Sequence, residues 1–346
     1  MSKTNITQQK RINCIDIAKG LGIIMIVWGH AKGVFSSQFI LLAVPLFFLM
    51  SGFFHNSEES FKTFFKKKFF RLYIPFVCCN LFLPTLTLIK CHSLGLNITP
   101  NLIYISQILL TLNKDGFLFG ATWFLASLFI ISITIKLIET IIKTKYKEIL
   151  VGLCCLGLAG VAFMPVFNLD FGIKRTFLCS LFYFIGILIK KYWDKLSNIP
   201  WHYITLVTSI ATITLWRICP SFSYKTPTVS GFIMVLICSI AFSTLILQCS
   251  ILIEKRTKKA SSILTYIGKN SIHVLIWHFV FFEIITAILL YANHLPITII
   301  ETLPHVICET PFCIGCYFSA GLFGSLGLAY IYKTFYNKIK SKLTIL

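Results

Sequence analysis

The chain alternates between long apolar blocks and short polar segments. Blocks rich in Leu, Ile, Phe and Val cover residues 13–34, 38–56, 74–92, 122–142, 149–167, 175–190, 201–219, 230–250, 270–291 and 312–332. Each is close to the roughly 17–25 residues that a helix needs to cross the hydrocarbon core. Every backbone N–H and C=O must be satisfied inside the segment there, so such blocks are expected to be helices. The pattern predicts an all-α integral membrane protein of about ten transmembrane helices, forming a single membrane-embedded domain over residues 1–346. The stretch 98–121 is too polar to span and is expected to lie at the interface or to dip partly into the bilayer.

Composition agrees with the pattern. Of the 346 residues, 56% are hydrophobic and 13% are charged, where a soluble chain carries roughly 25% charged residues. The 32 Lys and Arg residues outnumber the 12 Asp and Glu residues and leave a net charge of +20. Their placement sets a direction. With the N-terminus inside, the inner segments are 1–12, 57–73, 143–148, 191–200, 251–269 and 333–346. These segments, with the adjoining span ends that carry Lys136 and Lys190, hold about three-quarters of the basic residues, as cytoplasmic loops do. One misplaced span would scramble that alternation. The sequence therefore predicts N- and C-termini that are both cytoplasmic, with the positive loops facing anionic lipid headgroups. A nucleic-acid partner is not expected, because no soluble basic domain is present to bind one. Nor does the first span read as a cleaved signal: it carries Asp16 and Lys19, is too long, and lacks a small-residue cleavage site.

Most of the thirteen cysteines, such as Cys78, Cys79, Cys154 and Cys155, fall in apolar runs, where a thiol behaves as a small hydrophobe. Cys308, Cys313 and Cys316 fall near the outer end of the last span, close to His294 and His305. A disulfide is expected there ahead of a metal site, since that side is oxidising. No bound metal is predicted.

Ionisable groups inside spans are costly in lipid and usually face the bundle interior. The first span contains Asp16, Lys19 and His30. On a helix, Lys19 and His30 differ by about 20° of rotation and Asp16 and His30 by about 40°. All three therefore share a face, with His30 roughly 16 Å further along the axis than Lys19. Asp16 and Lys19 are also spaced to pair with each other. The bland alternative is a structural histidine bonded to a neighbouring helix. His278 follows Trp277 in the ninth span, and Glu283 lies about 140° round the helix from it, so helix packing is as good a role for Glu283 as chemistry. The run Lys66-Lys67-Lys68-Phe-Phe-Arg71-Leu-Tyr73-Ile-Pro75 joins the second loop to the third span. Lys68 and Arg71 share a helical face and suit a phosphate-rich cofactor such as coenzyme A. By spacing alone, positive-inside topology and snorkelling account for the cluster better.

Several of these runs together resemble one family. Asp16-Ile-Ala-Lys19-Gly20 with Trp28-Gly29-His30, and Val44-Pro45 through Ser51-Gly52-Phe53, are similar to the opening of the acyltransferase-3 family of bacterial membrane O-acyltransferases. Lys67-Lys68-Phe-Phe-Arg71-Leu-Tyr-Ile-Pro75 resembles its basic motif, and Ala121-Thr122-Trp123-Phe124-Leu125 resembles its fourth-span tryptophan motif. Arg175 with Phe182 to Gly186 resembles its sixth-span pattern, and Tyr266-Ile-Gly268-Lys-Asn-Ser271 with Trp277-His278 its late motif. The six runs occur in the family's order from about residue 12 to 280.

The resemblance implies an O-acyltransferase of the bacterial cytoplasmic (inner) membrane. It would move an acetyl or other short acyl group from acyl-CoA to a hydroxyl of a cell-surface or lipid-linked glycan. His30 would be catalytic, as general base or as transient acyl carrier, with Asp16 and Lys19 beside it in the site. Asp16 would set the imidazole tautomer and stabilise the imidazolium. Lys19 stands where many members have Arg, which keeps the charge but not the planar fork. Lys68 and Arg71, with Trp123, would bind acetyl-CoA. Ser51, Arg175, Ser271, His278 and Glu283 are expected to bind substrate or to support the structure. The fourth-span run Trp123-Phe124-Leu125-Ala126-Ser127 has no acidic residue, which resembles the fucose 4-O-acetylase-like branch. No SGNH-type hydrolase domain is expected. The alternative is a polysaccharide or small-molecule exporter, which would also place charged groups on an internal face.

Overall fold

The computed structural model describes residues 3–82, 121–193, 195, 201–218, 222–224, 226–296 and 306–343. Among these residues the regular structure is helical throughout, with no strand. The helices are α1 (Lys3–His30), α2 (Ser36–Phe53), α3 (Phe61–Lys68), α4 (Trp123–Ile141), α5 (Lys147–Phe163), α6 (Phe171–Lys191), α7 (Trp201–Ile218), α8 (Val229–Arg256), α9 (Lys258–Lys269), α10 (Ser271–Ala292), α11 (Pro311–Ser319) and α12 (Ser325–Leu343). Two π-helical segments interrupt this series, Phe69–Tyr73 after α3 and Ala320–Gly324 between α11 and α12.

Among the described residues, six helical stretches are long and apolar enough to cross a membrane: Ser36–Phe53, Trp123–Ile141, Phe171–Lys191, Val229–Arg256, Ser271–Ala292 and Pro311–Asn337. Their outward faces carry bare stripes, such as Ile233 and Ile237 on α8 and Ile284 and Ile288 on α10. Stripes of this kind suit lipid and not water. Helices α1, α5 and α7 occupy three further predicted spans but are shorter or more polar than those six. The predicted span 74–92 is described only to residue 82, where it is helical, and the stretch 98–120 lies outside the described residues.

The chain divides into two compact units. The first is Met1–Ile40 with Ser250–Leu346, and the second is Leu41–Cys249. The boundaries fall inside α2 and α8.

In the first unit, α1 lies against α9 at a pair of glycines. A Cβ on Gly268 would come within 1.8 Å of the Asp16 carbonyl oxygen, and one on Gly20 within 2.4 Å of the Leu264 carbonyl oxygen. Only glycine permits helix backbones to approach this closely, the device by which membrane helices gain packing area. The junction of α9 and α10 is held by Asn270, whose side chain donates to the Tyr266 carbonyl at 2.7 Å and accepts from Lys333 Nζ of α12 at 2.7 Å. Thr286 of α10 and Tyr317 of α11 share a buried hydroxyl–hydroxyl bond of 2.9 Å. Cys308 and Cys313 are joined by a disulfide, so two of the three expected cysteines pair.

In the second unit, α2 crosses α6 in the same way. A Cβ on Gly52 would reach 1.9 Å from the Tyr183 carbonyl oxygen, and one on Gly186 2.0 Å from that of Leu49. Helices α4 and α6 are tied by a buried bond of 2.7 Å between Ser127 and Thr176. Hydroxyl pairs of this kind hold spans together where apolar burial provides no driving force between helices.

Candidate functional site

His30 is the last residue of α1, and the sequence after it explains why the helix stops there. Lys32 adopts φ 63°, in the left-handed region. Its N–H donates to Gly29 O at 3.1 Å, and Gly33 N–H donates to Trp28 O at 3.1 Å. This is a Schellman cap, with Lys32 in the position that glycine usually takes. The indole N–H of Trp28 donates to Val34 O at 3.1 Å and closes the turn. The Trp28-Gly29-His30 run is thus a helix end built to hold one imidazole.

That imidazole is half-buried and rests on α10. Its ring centroid lies 5.3 Å from that of His278 and 4.8 Å from that of Phe279. His278 is fully buried. Its Nδ1 lies 2.9 Å from Val274 O. A carbonyl can only accept, so Nδ1 carries a proton and Nε2 presents a lone pair. Among the described residues Nε2 has no hydrogen-bond partner. A buried unsatisfied nitrogen costs about 1–3 kcal/mol, and this one lies beside the ring of His30.

Asp16 and Lys19 form an ion pair of 3.3 Å on the half of α1 that packs against α9. Asp16 is buried and Lys19 half-buried. Because α1 is continuous to His30, the common face read from the sequence holds. The same continuity corrects one expectation. Asp16 is fourteen residues from His30, roughly 21 Å along the axis, so it cannot orient the imidazole. The group beside His30 is His278.

The basic run has a different local geometry from the one expected. Lys68 closes α3, and the next five residues, including Arg71, form a π turn. The Lys68–Arg71 step is therefore not an α-helical i, i+3 pair, and the wider turn redirects Arg71. Arg71 is exposed. Lys68 is half-buried, with Nζ 5.3 Å from the centre of the buried Phe64 ring.

Trp123 and Arg175 do meet. The guanidinium of Arg175 stacks 3.3 Å above the Trp123 ring and 4.5 Å from that of Phe171. Arg175 is buried, and a desolvated stack of this kind is worth about 2 kcal/mol. Trp123 therefore has a structural partner independent of any cofactor. Ser51 is half-buried on the last turn of α2, Ser271 opens α10, and Glu283 is half-buried one turn beyond His278.

One cluster was not singled out from the sequence. His55, in the turn after α2, bonds Tyr183 OH through Nδ1 at 3.0 Å and Glu139 Oε2 through Nε2 at 2.8 Å. Ser57 donates to the other carboxylate oxygen at 2.9 Å. Lys136 Nζ donates to the carbonyls of Asn56 and Ser57 at 3.0 and 2.8 Å. The available signal was Lys136 and Glu139, three apart in an otherwise apolar span. Their partners lie about eighty residues away.

Among the described residues no group of three or more His, Cys, Asp or Glu side chains could hold a metal ion. No curated protein and no solved structure matches the chain. The acyltransferase-domain family of the acyltransferase-3 type matches residues 12–333, which takes in both histidines, the basic run, the Trp123–Arg175 stack and all six apolar stretches except the last turn of the sixth. The chain belongs to the acyltransferase-3 family and is a multi-pass membrane O-acyltransferase.

Proposed function

We propose that the protein transfers an acetyl or other short acyl group from acyl-CoA to a hydroxyl of a cell-surface or lipid-linked glycan, with His30 as the catalytic residue. The observation that carries this reading is the buried lone pair of His278 beside His30. His30, at the accessible end of the pair, takes the proton from the acceptor hydroxyl. The oxygen attacks the thioester carbon, a C–O bond forms and the C–S bond breaks. The departing thiolate takes the proton from His30. His278 Nε2 accepts from the second ring N–H of His30 and so fixes which nitrogen faces the hydroxyl. The negative pole of the α1 helix dipole, at its C-terminal end, favours the positive charge that His30 carries between the two transfers.

Lys68 and Arg71 supply cations for the phosphates of acetyl-CoA. The two chemistries suit the residues differently: a flexible ammonium on an aromatic shelf and an exposed guanidinium both reach a mobile phosphate chain. Asp16 and Lys19 keep a charged pair on the His30 face of α1. Ser51 on α2 and Ser271 and Glu283 on α10 are further polar groups for binding substrate or supporting the structure. The Arg175–Trp123 stack offers an aromatic face for a sugar beside its structural role.

In our reading ten spans cross the cytoplasmic membrane of a bacterium, with both termini inside. The distribution of Lys and Arg supports that orientation. So does the Cys308–Cys313 disulfide, which falls on the side that would be oxidising. The fourth-span run without acidic residues supports the fucose 4-O-acetylase-like branch. Mass spectrometry of surface glycans from a strain lacking the protein tests the proposal. A polymer lighter by one acyl group per repeat is expected. Unchanged glycan masses would contradict it.

A further inference from the structure

The His55 cluster of the second unit takes no part in the chemistry described so far. It nevertheless holds several ionisable groups inside a membrane protein, where each must be matched to be tolerated. Its members come from the cytoplasmic-type ends of three helices. Lys136 and Glu139 are on the last two turns of α4, Lys190 is at the end of α6, and His55 follows α2.

All of these side chains converge on one turn, residues 55–57. Lys190 Nζ donates to His55 O at 2.6 Å. Lys136 holds the next two carbonyls. Glu139 accepts from the His55 ring and from the Ser57 hydroxyl, while its carboxylate lies 3.9 Å from Lys136 Nζ. Three consecutive residues are thereby fixed to rigid helix ends through charged hydrogen bonds, which are about twice as strong as neutral ones. An ordinary surface loop has no need of such anchorage.

The anchored turn leads into α3. Ser60 caps that helix through Thr63 N–H, and Glu59 pairs with Lys67. One turn in, Phe64 is buried with its ring against the anchor. Its centroid lies 5.1 Å from that of His55 and 5.7 Å from Lys136 Nζ. Lys68 Nζ lies 5.3 Å from the same centroid. One aromatic ring therefore touches both the buried His55–Glu139–Lys136 group and one of the two cations assigned to the acyl donor.

We propose that the His55–Glu139 pair, braced by Lys136, positions Lys68 for the acyl donor through the ring of Phe64. This rests on the reading that Lys68 and Arg71 bind acyl-CoA. His55 and Glu139 touch neither donor nor acceptor in this account. They are positioning residues. Their contribution is to set where the ammonium of Lys68 stands before the donor arrives, so that less order is lost on binding.

The test is calorimetric titration of acetyl-CoA into the full-length protein in detergent, with the melting temperature recorded for each variant. Calorimetry separates the dissociation constant from the fraction of competent protein. A purely structural role would lower that fraction and the melting temperature while leaving the constant of the folded molecules unchanged. We expect Glu139→Gln and Phe64→Leu each to weaken binding about fivefold and Lys68→Ala about tenfold. The double variant Glu139→Gln/Lys68→Ala should bind no more weakly than Lys68→Ala, because both changes remove the same interaction. If Glu139→Gln does not yield folded protein, Phe64→Leu, which keeps an apolar side chain but removes the ring, and its combination with Lys68→Ala decide the question. Unchanged constants in Glu139→Gln and Phe64→Leu, or additive effects in the double variants, overturn the positioning role while the donor site stands. An unchanged constant in Lys68→Ala overturns the donor site itself, and the positioning role with it.

Discussion

Gly268→Ala is the sharpest structural test of the first unit. The new Cβ would sit 1.8 Å from the carbonyl oxygen of Asp16, where ordinary contact begins at 3.4 Å. The shortfall of about 1.6 Å faces backbone on both sides, so no side chain can rotate away and α9 must move off α1. Overpacking of this kind costs typically 1–3 kcal/mol, and rigid backbone puts this case at the upper end. The intrinsic preference of a helix for alanine returns about 0.5–1 kcal/mol. The net expectation is a loss of about 2 kcal/mol. Gly157→Ala is the matched control. It lies on the exposed face of α5 with nothing within 4 Å of its Cβ, so only the helix preference remains and the sign reverses. Thermal unfolding of the two purified variants in the same detergent reads the difference directly. If Gly268→Ala melts at or above the unmodified protein, the close crossing of α1 and α9 is wrong.

Two further expectations concern the second unit and the orientation. Arg175→Lys keeps the charge but loses the planar stack on Trp123 and Phe171, so it should destabilise the protein by about 2 kcal/mol in the same melting assay; an unchanged melting temperature would show that the stack carries no stability. A membrane-impermeant maleimide applied to intact cells should label two more cysteines after reduction, and Cys308→Ser/Cys313→Ser should lose that gain; labelling that needs disrupted cells would reverse the assigned orientation.

The helices themselves were legible because lipid forces a single solution on a long apolar block. Helix α4 starts within one residue of its predicted span, and α10 begins where the apolar run does. What could not be read was where backbone departs from the α-helix. The π turn at Phe69–Tyr73 depends on how the basic run leaves α3, and no residue in it breaks a helix. The helix α9 was likewise hidden, since residues 258–269 were expected only as part of an inner polar segment. The site divides in the same way. The common face of Asp16, Lys19 and His30 follows from periodicity within one helix. The contact of His30 with His278 is a property of two helices that meet only in the fold, as is the path from Glu139 to His55. Distance along a helix, by contrast, was readable from the start, and it is what removes Asp16 from the neighbourhood of His30.

The central claim is that His30 performs the transfer with His278 behind it. Membranes carrying the unmodified protein, His30→Ala or His278→Asn are to be supplied with radiolabelled acetyl-CoA, and label in the glycan fraction measured at equal amounts of inserted protein. The account predicts no incorporation above background for His30→Ala, and a loss of about a hundredfold for His278→Asn. Incorporation by His30→Ala at the level of the unmodified protein would contradict it.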